Sequence, residues 1–224
     1  MPTETFFNLP EEKRARLLDI LLDEFSQNDY KNVSVGRIAA RAGIAKGSFY
    51  QYFADKKNCY LYLIALGIEQ KTAFLQQSTP EAPADMFSQI RWLLGVGMQF
   101  QFLNPRLAQI GYKAIFDDVP LPEETMQVVR RGGYAYFRQM VQAGIADGSL
   151  DPQVDADTAA FLLNATFTNL GEHLMERFGI SPASLLSEGS ESFQRAEIRR
   201  AIEQVIAILE NGLRARPQRT ERTP

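Results

Sequence analysis

This 224-residue sequence offers few combinations of side chains suited to acid–base or nucleophilic catalysis. His173 is the only histidine and Cys59 the only cysteine, and they lie far apart in the chain. A catalytic nucleophile needs a base within reach, and a structural zinc site needs several Cys or His ligands. No phosphate-binding glycine loop, nucleophile elbow or metalloprotease motif is present. The sequence therefore predicts no catalytic residue, no metal site and no cofactor, with His173 and Cys59 as structural residues.

A different chemistry is concentrated in residues 33–57. The whole chain has a net charge of −3, yet this stretch carries five cations against a single carboxylate, Asp55. The cations are Arg37, Arg41, Lys46, Lys56 and Lys57. A local excess of positive charge is a candidate footprint for a polyanion such as nucleic acid. Inside it, the segment GIAKGSFYQYF (43–53) combines a lysine with four aromatic rings.

Helical periodicity places this segment in an N-terminal unit of three helices. Asn8 is predicted to cap the first helix, and Ser34 is predicted to cap the second. A tight turn at Gly43 should end the second helix. The third helix is predicted over residues 45–52. Two short helices joined by a glycine turn form a helix-turn-helix, in which the second helix enters the DNA major groove.

This arrangement accounts for the mixed character of residues 43–53. Phe49 and Phe53 are four residues apart, so they share one helix face and are expected in the core. The remaining polar and small residues are expected to meet base edges or phosphates. The predicted DNA contacts are Ser34, Lys46, Gly47, Ser48, Tyr50, Tyr52 and Lys56.

The pattern resembles the DNA-binding domain of the TetR family of bacterial repressors over about residues 8–60. The resemblance implies an all-α fold of about nine helices, a homodimer and a divergent C-terminal domain that binds a small molecule. At Ala45 the family often has Ser or Thr, whose hydroxyl caps the recognition helix, so Ser48 or backbone groups should share that role. The resemblance depends on Ser34-Val35, Ile38-Ala39, Ala42-Gly43-Ile44, Lys46-Gly47-Ser48, Tyr50, Tyr52-Phe53 and Lys56.

The rest of the chain also shows helical spacing, and no window alternates in the manner of a strand. We predict a helix-turn-helix domain at 1–55, a larger helical domain for ligand binding and dimerisation at 56–216, and a disordered tail at 217–224. No apolar run is long enough to cross a membrane, and the N-terminus lacks the pattern of a secretory signal. A cytoplasmic protein is expected. Asp55 is predicted to cap a long helix at about 56–77. Further helices are predicted at about 85–103, 105–117, 122–147, 154–178 and 192–214.

Two predicted helices have apolar spacing close to a heptad, which favours a four-helix dimer interface. Its residues are expected to be Leu163, Phe167, Leu170 and Leu174, with Ile198, Ile202, Val205 and Leu209. Aromatic residues elsewhere in the C-terminal region favour a largely hydrophobic effector. The candidate lining residues are Trp92, Phe116, Tyr134, Phe137 and Asn164.

These features favour a ligand-responsive dimeric transcription regulator, and more specifically a repressor released from a palindromic operator. Two alternatives stay open at this point. One is a DNA-binding protein without an effector, and the other is a helical enzyme or small-molecule carrier with an incidental basic head. The absence of a catalytic constellation disfavours the enzyme. The sequence does not distinguish repression from activation, nor does it identify the operator or the effector.

Overall fold

Every regular element that the structure describes is helical, which confirms the predicted fold class. The computed structural model describes residues 1–78, 85–116, 123–180 and 195–214, with the backbone alone for 102, 115, 116, 123–132 and 172. The predicted tail at 217–224 lies outside these ranges. A short 3₁₀ turn covers Tyr30–Asn32. The α-helices are α1 (Glu4–Phe7), α2 (Glu11–Gln27), α3 (Val35–Ala42), α4 (Lys46–Tyr52), α5 (Lys56–Gln77), α6 (Met86–Leu103), α7 (Pro105–Phe116), α8 (Glu123–Ala146), α9 (Ala156–Phe178) and α10 (Ala196–Leu213).

The predicted caps define the limits of the N-terminal helices. Ser34 precedes α3, and its hydroxyl oxygen accepts a hydrogen bond from the backbone N–H of Arg37 at 3.3 Å. Gly43 ends α3 with φ of +68°, in the left-handed region. A side chain there would cost about 1–2 kcal/mol, which explains the glycine. Asp55 caps α5, because its carboxylate accepts from the backbone N–H of Asn58 at 2.6 Å.

The start of the chain differs from the prediction. Asn8 does not cap the first long helix; its backbone N–H donates to Glu4 O at 2.9 Å and so ends the short helix α1. The long helix α2 begins at Glu11, with Pro10 at the capping position. Helix α1 is held in place by Phe6, whose side chain is fully buried. A four-residue helix is too short to show periodicity, so the sequence pattern missed it.

One core joins the N-terminal helices to parts of α5 and α7. Tyr60 stacks on Phe25 with ring centroids 5.3 Å apart, and its hydroxyl donates to Ile110 O of α7 at 3.2 Å. Cys59 lies in the same core with no exposed surface, and burial raises the pKa of its thiol. It is therefore a small buried apolar residue. The largest fully buried side chains here include Phe6, Phe25, Phe49, Phe53 and Tyr60.

The chain divides into two compact units. Unit 1 consists of Met1–Ser78 and Gly97–Met126, and unit 2 of Thr79–Val96 and Gln127–Pro224. The predicted boundary between residues 55 and 56 lies inside unit 1, because α5 and α7 complete the core of the N-terminal helices. Among the helices of the described residues, none is long and apolar enough to cross a membrane.

Candidate nucleic-acid interface

Helix α4 has one buried and one exposed face. Phe49 has no exposed surface, and Phe53, just beyond the helix, is also fully buried. On the other side Lys46, Gly47 and Gln51 are exposed, and Tyr50 is 49% exposed. The apolar face fixes the helix to the core, so the opposite face is presented to solvent in a defined orientation.

Gly47 lies on the exposed face in the first turn of α4. Apart from its chain neighbours and the backbone of its own helix, a Cβ atom built at this position would have no atom within 4 Å. The glycine is therefore not required by packing inside the chain. It leaves the backbone uncovered at the helix surface, which lets another molecule approach closely. Ser48 beside it is half-buried, and its N–H donates to Ala45 O at 2.9 Å, so a backbone bond closes the turn that Ala45 cannot cap.

A buried carboxylate holds α3 against α2. Glu24 of α2 is 2% exposed and accepts from Nε of Arg37 at 2.8 Å and from the backbone N–H of Ser34 at 3.1 Å. Burial by itself would raise the pKa of Glu24, but the hydrogen bonds from Arg37 and Ser34 outweigh it, so the pKa is lowered. The carboxylate thus stays charged and joins one helix to the start of the next.

Sequence reasoning missed Glu24, although a signal was present. Glu24 follows Leu17 by seven residues and Leu21 by three, so it falls on the apolar stripe of α2. A carboxylate inside such a stripe is expected to have a buried cationic partner, because an unpaired buried charge is strongly unfavourable.

A second acidic residue of α2 contacts two other helices. Asp23 accepts from Arg41 of α3 at 2.8 Å through one oxygen and from Arg106 of α7 at 2.7 Å through the other. Burial would raise the pKa of Asp23, and the two arginines more than offset this, so the pKa is lowered. Arg106 also bonds Asp19 of α2 at 2.7 Å. Helices α2, α3 and α7 are thereby linked by one network of charges.

These contacts reduce the positive charge that the sequence pattern suggested. Arg37 and Arg41 are both paired with carboxylates of α2. Lys46 and Lys57 form no ion pair with any residue that the structure describes. Lys46, at the start of α4, is therefore a cation available to an external anion.

Three predicted contacts have structural roles. Ser34 caps α3, as described above. Tyr52 is only 5% exposed and packs against Phe6. The predicted DNA contact by this side chain does not agree with its burial. The ammonium group of Lys56 donates to Tyr30 O at 2.8 Å and to Val33 O at 3.2 Å, and lies 4.5 Å from the ring centre of Tyr30. Lys56 thus stabilises the 3₁₀ turn.

Three of the candidate effector residues, Tyr134, Phe137 and Asn164, lie where α8 meets α9. The hydroxyl of Tyr134 donates to Asp157 at 2.8 Å, and Phe137 stacks on Phe167 with ring centres 5.6 Å apart. A Cβ atom added to Gly133 would lie 2.5 Å from Oδ1 of Asn164, so the glycine permits close packing there. Trp92 of α6 is half-buried, and the side chain of Phe116 lies outside the described residues.

Two cavities within the described residues have other linings. The larger, about 270 Å³, is an open groove of unit 1 between α2 and the turn after α3. The smaller, about 100 Å³, lies between α6 and α8 in unit 2 and is lined by Met86, Gln89 and Met140, among others. None of the four candidate effector residues whose side chains the structure describes lines either cavity. A typical ligand pocket occupies roughly 300–1,000 Å³, so the larger cavity lies just below that range and the smaller one far below it.

Most residues of the predicted dimer interface are buried within the single chain. Leu163 and Ile198 have no exposed surface. Leu170, Leu174 and Ile202 are also buried, while Phe167, Val205 and Leu209 are half-buried. The exposed apolar residues of the same helices are different ones: Phe161 at 61%, Leu162 at 46% and Ile208 at 72%. The heptad spacing therefore identified the packing of α9 and α10 within one chain. His173 is exposed on α9.

Comparison with known proteins agrees with this architecture. Residues 17–63 match the family model described as bacterial regulatory proteins, tetR family. Residues 84–214 match a model described as tetracyclin repressor-like, C-terminal domain. The chain is therefore a DNA-binding transcription regulator, and it belongs to the TetR family. Members of this family bind operator DNA and small-molecule effectors and act as dimers; they are transcription factors, not enzymes.

Individual relatives support the same assignment. A TetR family transcriptional regulator from Chloroflexus aurantiacus J-10-FL, solved by crystallography, is 70% identical; the match covers 96% of this chain and 100% of that one, with a TM-score of 0.80. The uncharacterised HTH-type regulator YdgC of Bacillus subtilis is 28% identical over 79% of this chain and 88% of its own. A probable acrEF/envCD operon repressor of Escherichia coli K12 is 22% identical over 70% of this chain and 73% of its own.

The buried pair of Glu24 and Arg37 leads to a stability prediction. Glu24→Gln should lower the free energy of unfolding by about 1–3 kcal/mol at pH 7, because a buried charge-assisted hydrogen bond is lost. The folded-state pKa of Glu24 lies below its ordinary value of 4.5. Its contribution is therefore complete above that value and is lost as the pH falls through the folded-state pKa. The difference from the native protein should shrink from pH 7 to pH 3 in urea denaturation.

Glu69→Gln serves as the matched control, since Glu69 is exposed on α5. This variant should unfold like the native protein throughout the pH range. Equal stability of the Glu24→Gln variant and the native protein at pH 7 would contradict the assigned role.

Proposed function

We propose that α4 enters the major groove of an operator, with Lys46, Gly47, Ser48 and Tyr50 at the contact surface. The observation that carries this proposal is the two-faced burial of α4: aromatic rings fix one face in the core, and the exposed face carries the lysine and the glycine. The ammonium of Lys46 and the hydroxyl of Tyr50 are suited to phosphate oxygens or base edges. Ser34 acts from behind this surface as the cap of α3.

The proposed activity is repression in the cytoplasm, ended by an effector. The curated relative from Escherichia coli is described as a probable operon repressor, which supports the direction of control. A dimer presents two α4 helices, so the operator is expected to be palindromic with half-sites about 34–36 Å apart. An effector that favours another spacing of the two helices would release the DNA by population shift.

Lys46→Ala and Tyr50→Phe should weaken binding to a duplex that the native protein selects from random sequence. Lys46→Ala should reduce affinity roughly tenfold, because a bond between a charged side chain and phosphate is lost. The slope of log affinity against log salt concentration should become shallower by about 1, which corresponds to one phosphate contact. Tyr50→Phe should cost less, since only a neutral hydroxyl is removed. Fluorescence anisotropy across a salt series measures both effects.

Gln70→Ala, at an exposed position of α5, is the control for these variants. All three variants should keep the helical content of the native protein. If Lys46→Ala and Tyr50→Phe bind the selected duplex as tightly as Gln70→Ala does, α4 is not the contact surface.

We propose that a second copy of the chain covers the exposed apolar residues of α9 and α10. Phe161, Leu162 and Ile208 are large apolar side chains left in solvent by the folded chain. Exposed large apolar side chains mark candidate interaction surfaces, and the family's members act as dimers. Of the heptad residues, the half-buried Phe167, Val205 and Leu209 stay candidates for the same interface.

Phe161→Asp combined with Ile208→Asp should give a folded monomer. The two carboxylates would be buried without partners in the dimer but stay hydrated in the single chain, so association alone is penalised. Sedimentation velocity measures the state of association, and circular dichroism measures the fold. Leu163→Asp is the contrasting variant, because Leu163 is buried within the chain and the charge should unfold it. A stable dimer of the double variant would place the interface elsewhere.

We propose that the effector is small and largely hydrophobic and that it binds unit 2 beside the contact of α8 with α9. The proposal is supported by the aromatic pair Phe137 and Phe167 and by the nearby amide of Asn164. Burial of about 200 Å² of apolar ligand surface at roughly 25 cal/mol per Å² contributes about 5 kcal/mol before ordering costs. One or two polar contacts would then be enough for micromolar affinity.

A panel of hydrophobic compounds should contain members that raise the melting temperature, quench the fluorescence of Trp92 and release the selected duplex. Phe137→Ala should weaken these effects, whereas Gln139→Ala, at an exposed position of the same helix, should leave them unchanged. If charged metabolites such as nucleotides produce the three effects and hydrophobic compounds do not, the proposed effector class is wrong. If no compound acts, the alternative of a DNA-binding protein without an effector is favoured.

A further inference from the structure

The recognition helix α4 has weak support at both of its ends. It has seven residues, and Ala45 at its capping position provides no side-chain hydrogen bond. A helix this short is unstable on its own, because its nucleation cost is not repaid by enough internal hydrogen bonds. Its last carbonyl groups also lack partners within the helix. The orientation of α4 therefore depends on contacts from other parts of the chain.

Thr3, which is 48 positions away from Gln51, meets the C-terminal end of α4. Its backbone N–H donates to Tyr52 O at 2.9 Å, and its hydroxyl donates to Gln51 O at 2.5 Å. One residue thus satisfies two of the last four carbonyl groups of the helix. The N-terminal segment acts as a C-terminal cap that is supplied from a distant part of the sequence.

Thr3 is itself held in place by the core. The backbone N–H of Phe6 donates to Thr3 O at 3.1 Å, which ties Thr3 to the start of α1. The ring of Phe6 is fully buried, 5.1 Å from the ring centre of Phe53 and 5.5 Å from that of Tyr62. The segment is therefore anchored to α5 by Tyr62 and to the end of α4 by Phe53.

We propose that Thr3 is a positioning residue for DNA recognition. This inference rests on the proposed contact of α4 with the operator. Thr3 is exposed at the C-terminal end of the helix and acts by fixing the direction of α4 where the helix ends. A loosened α4 would still carry Lys46 and its charge, but it would no longer hold the exposed face in one register with the base edges. Sequence-specific affinity should fall, whereas electrostatic attraction to any duplex should not.

Thr3→Val tests this with a side chain of nearly the same shape that lacks the hydroxyl donor. We expect its affinity for the duplex selected by the native protein to fall roughly threefold to tenfold, consistent with the loss of one hydrogen bond. Its affinity for a random duplex and the slope of its salt dependence should equal those of the native protein. Thr3→Ser, which keeps the donor, should restore specific binding.

Thr5→Val is the matched control, because Thr5 lies in α1, two residues after Thr3, and is exposed. Backbone hydrogen exchange gives a second readout: peptides covering Phe49–Phe53 should exchange faster in Thr3→Val than in Thr5→Val, while the core of α5 is unchanged.

Two results would overturn the proposal. One is equal specific affinity of Thr3→Val and Thr5→Val. The other is an equal loss of specific and random binding together with faster exchange throughout unit 1, which would show a general role in stability. A failure of the underlying proposal looks different, because the native protein itself would then show no preference for any selected duplex.

Discussion

The need to pair a buried charge governs the N-terminal helices. Glu24 is almost fully buried on α2, and a carboxylate in that position is tolerated only with hydrogen-bond donors around it. Arg37 and the backbone N–H of Ser34 supply them, so the first turn of α3 must lie against α2. The turn at Gly43 then sets the direction of α4. The proposed DNA-binding surface thus depends on a contact between α2 and α3 inside the chain.

The same helix α2 also determines how much positive charge remains for a polyanion. Its carboxylates Asp23 and Glu24 neutralise Arg41 and Arg37, and Arg106 of α7 joins the network through Asp23. The exposed cation of α4, Lys46, has no such partner among the described residues. A cluster of cations in a sequence is therefore an upper bound on the charge that a ligand meets, because part of it is used to hold helices together.

Local signals made much of the fold predictable. Ser34, Gly43 and Asp55 act through neighbours a few residues away, so their capping roles follow from sequence. The four-residue spacing of Phe49 and Phe53 predicts which face of α4 is buried. Contacts over long sequence distances were not predictable. Lys56 bonds carbonyl groups of residues 30 and 33, and Thr3 bonds those of residues 51 and 52. The spacing of Leu163 or Ile198 indicates burial, but it does not say whether the covering surface belongs to the same chain or to a second copy.

The central claim is that the exposed face of α4 meets DNA, and photo-crosslinking tests it most directly. A photoreactive phenylalanine analogue would replace Tyr50 in one variant and Ile68 of α5 in another, two side chains with similar exposures of 49% and 52%. With a duplex selected by the native protein, the account predicts cross-links from position 50, abolished by excess unlabelled duplex, and none from position 68. Cross-links from position 68 with none from position 50 would contradict it.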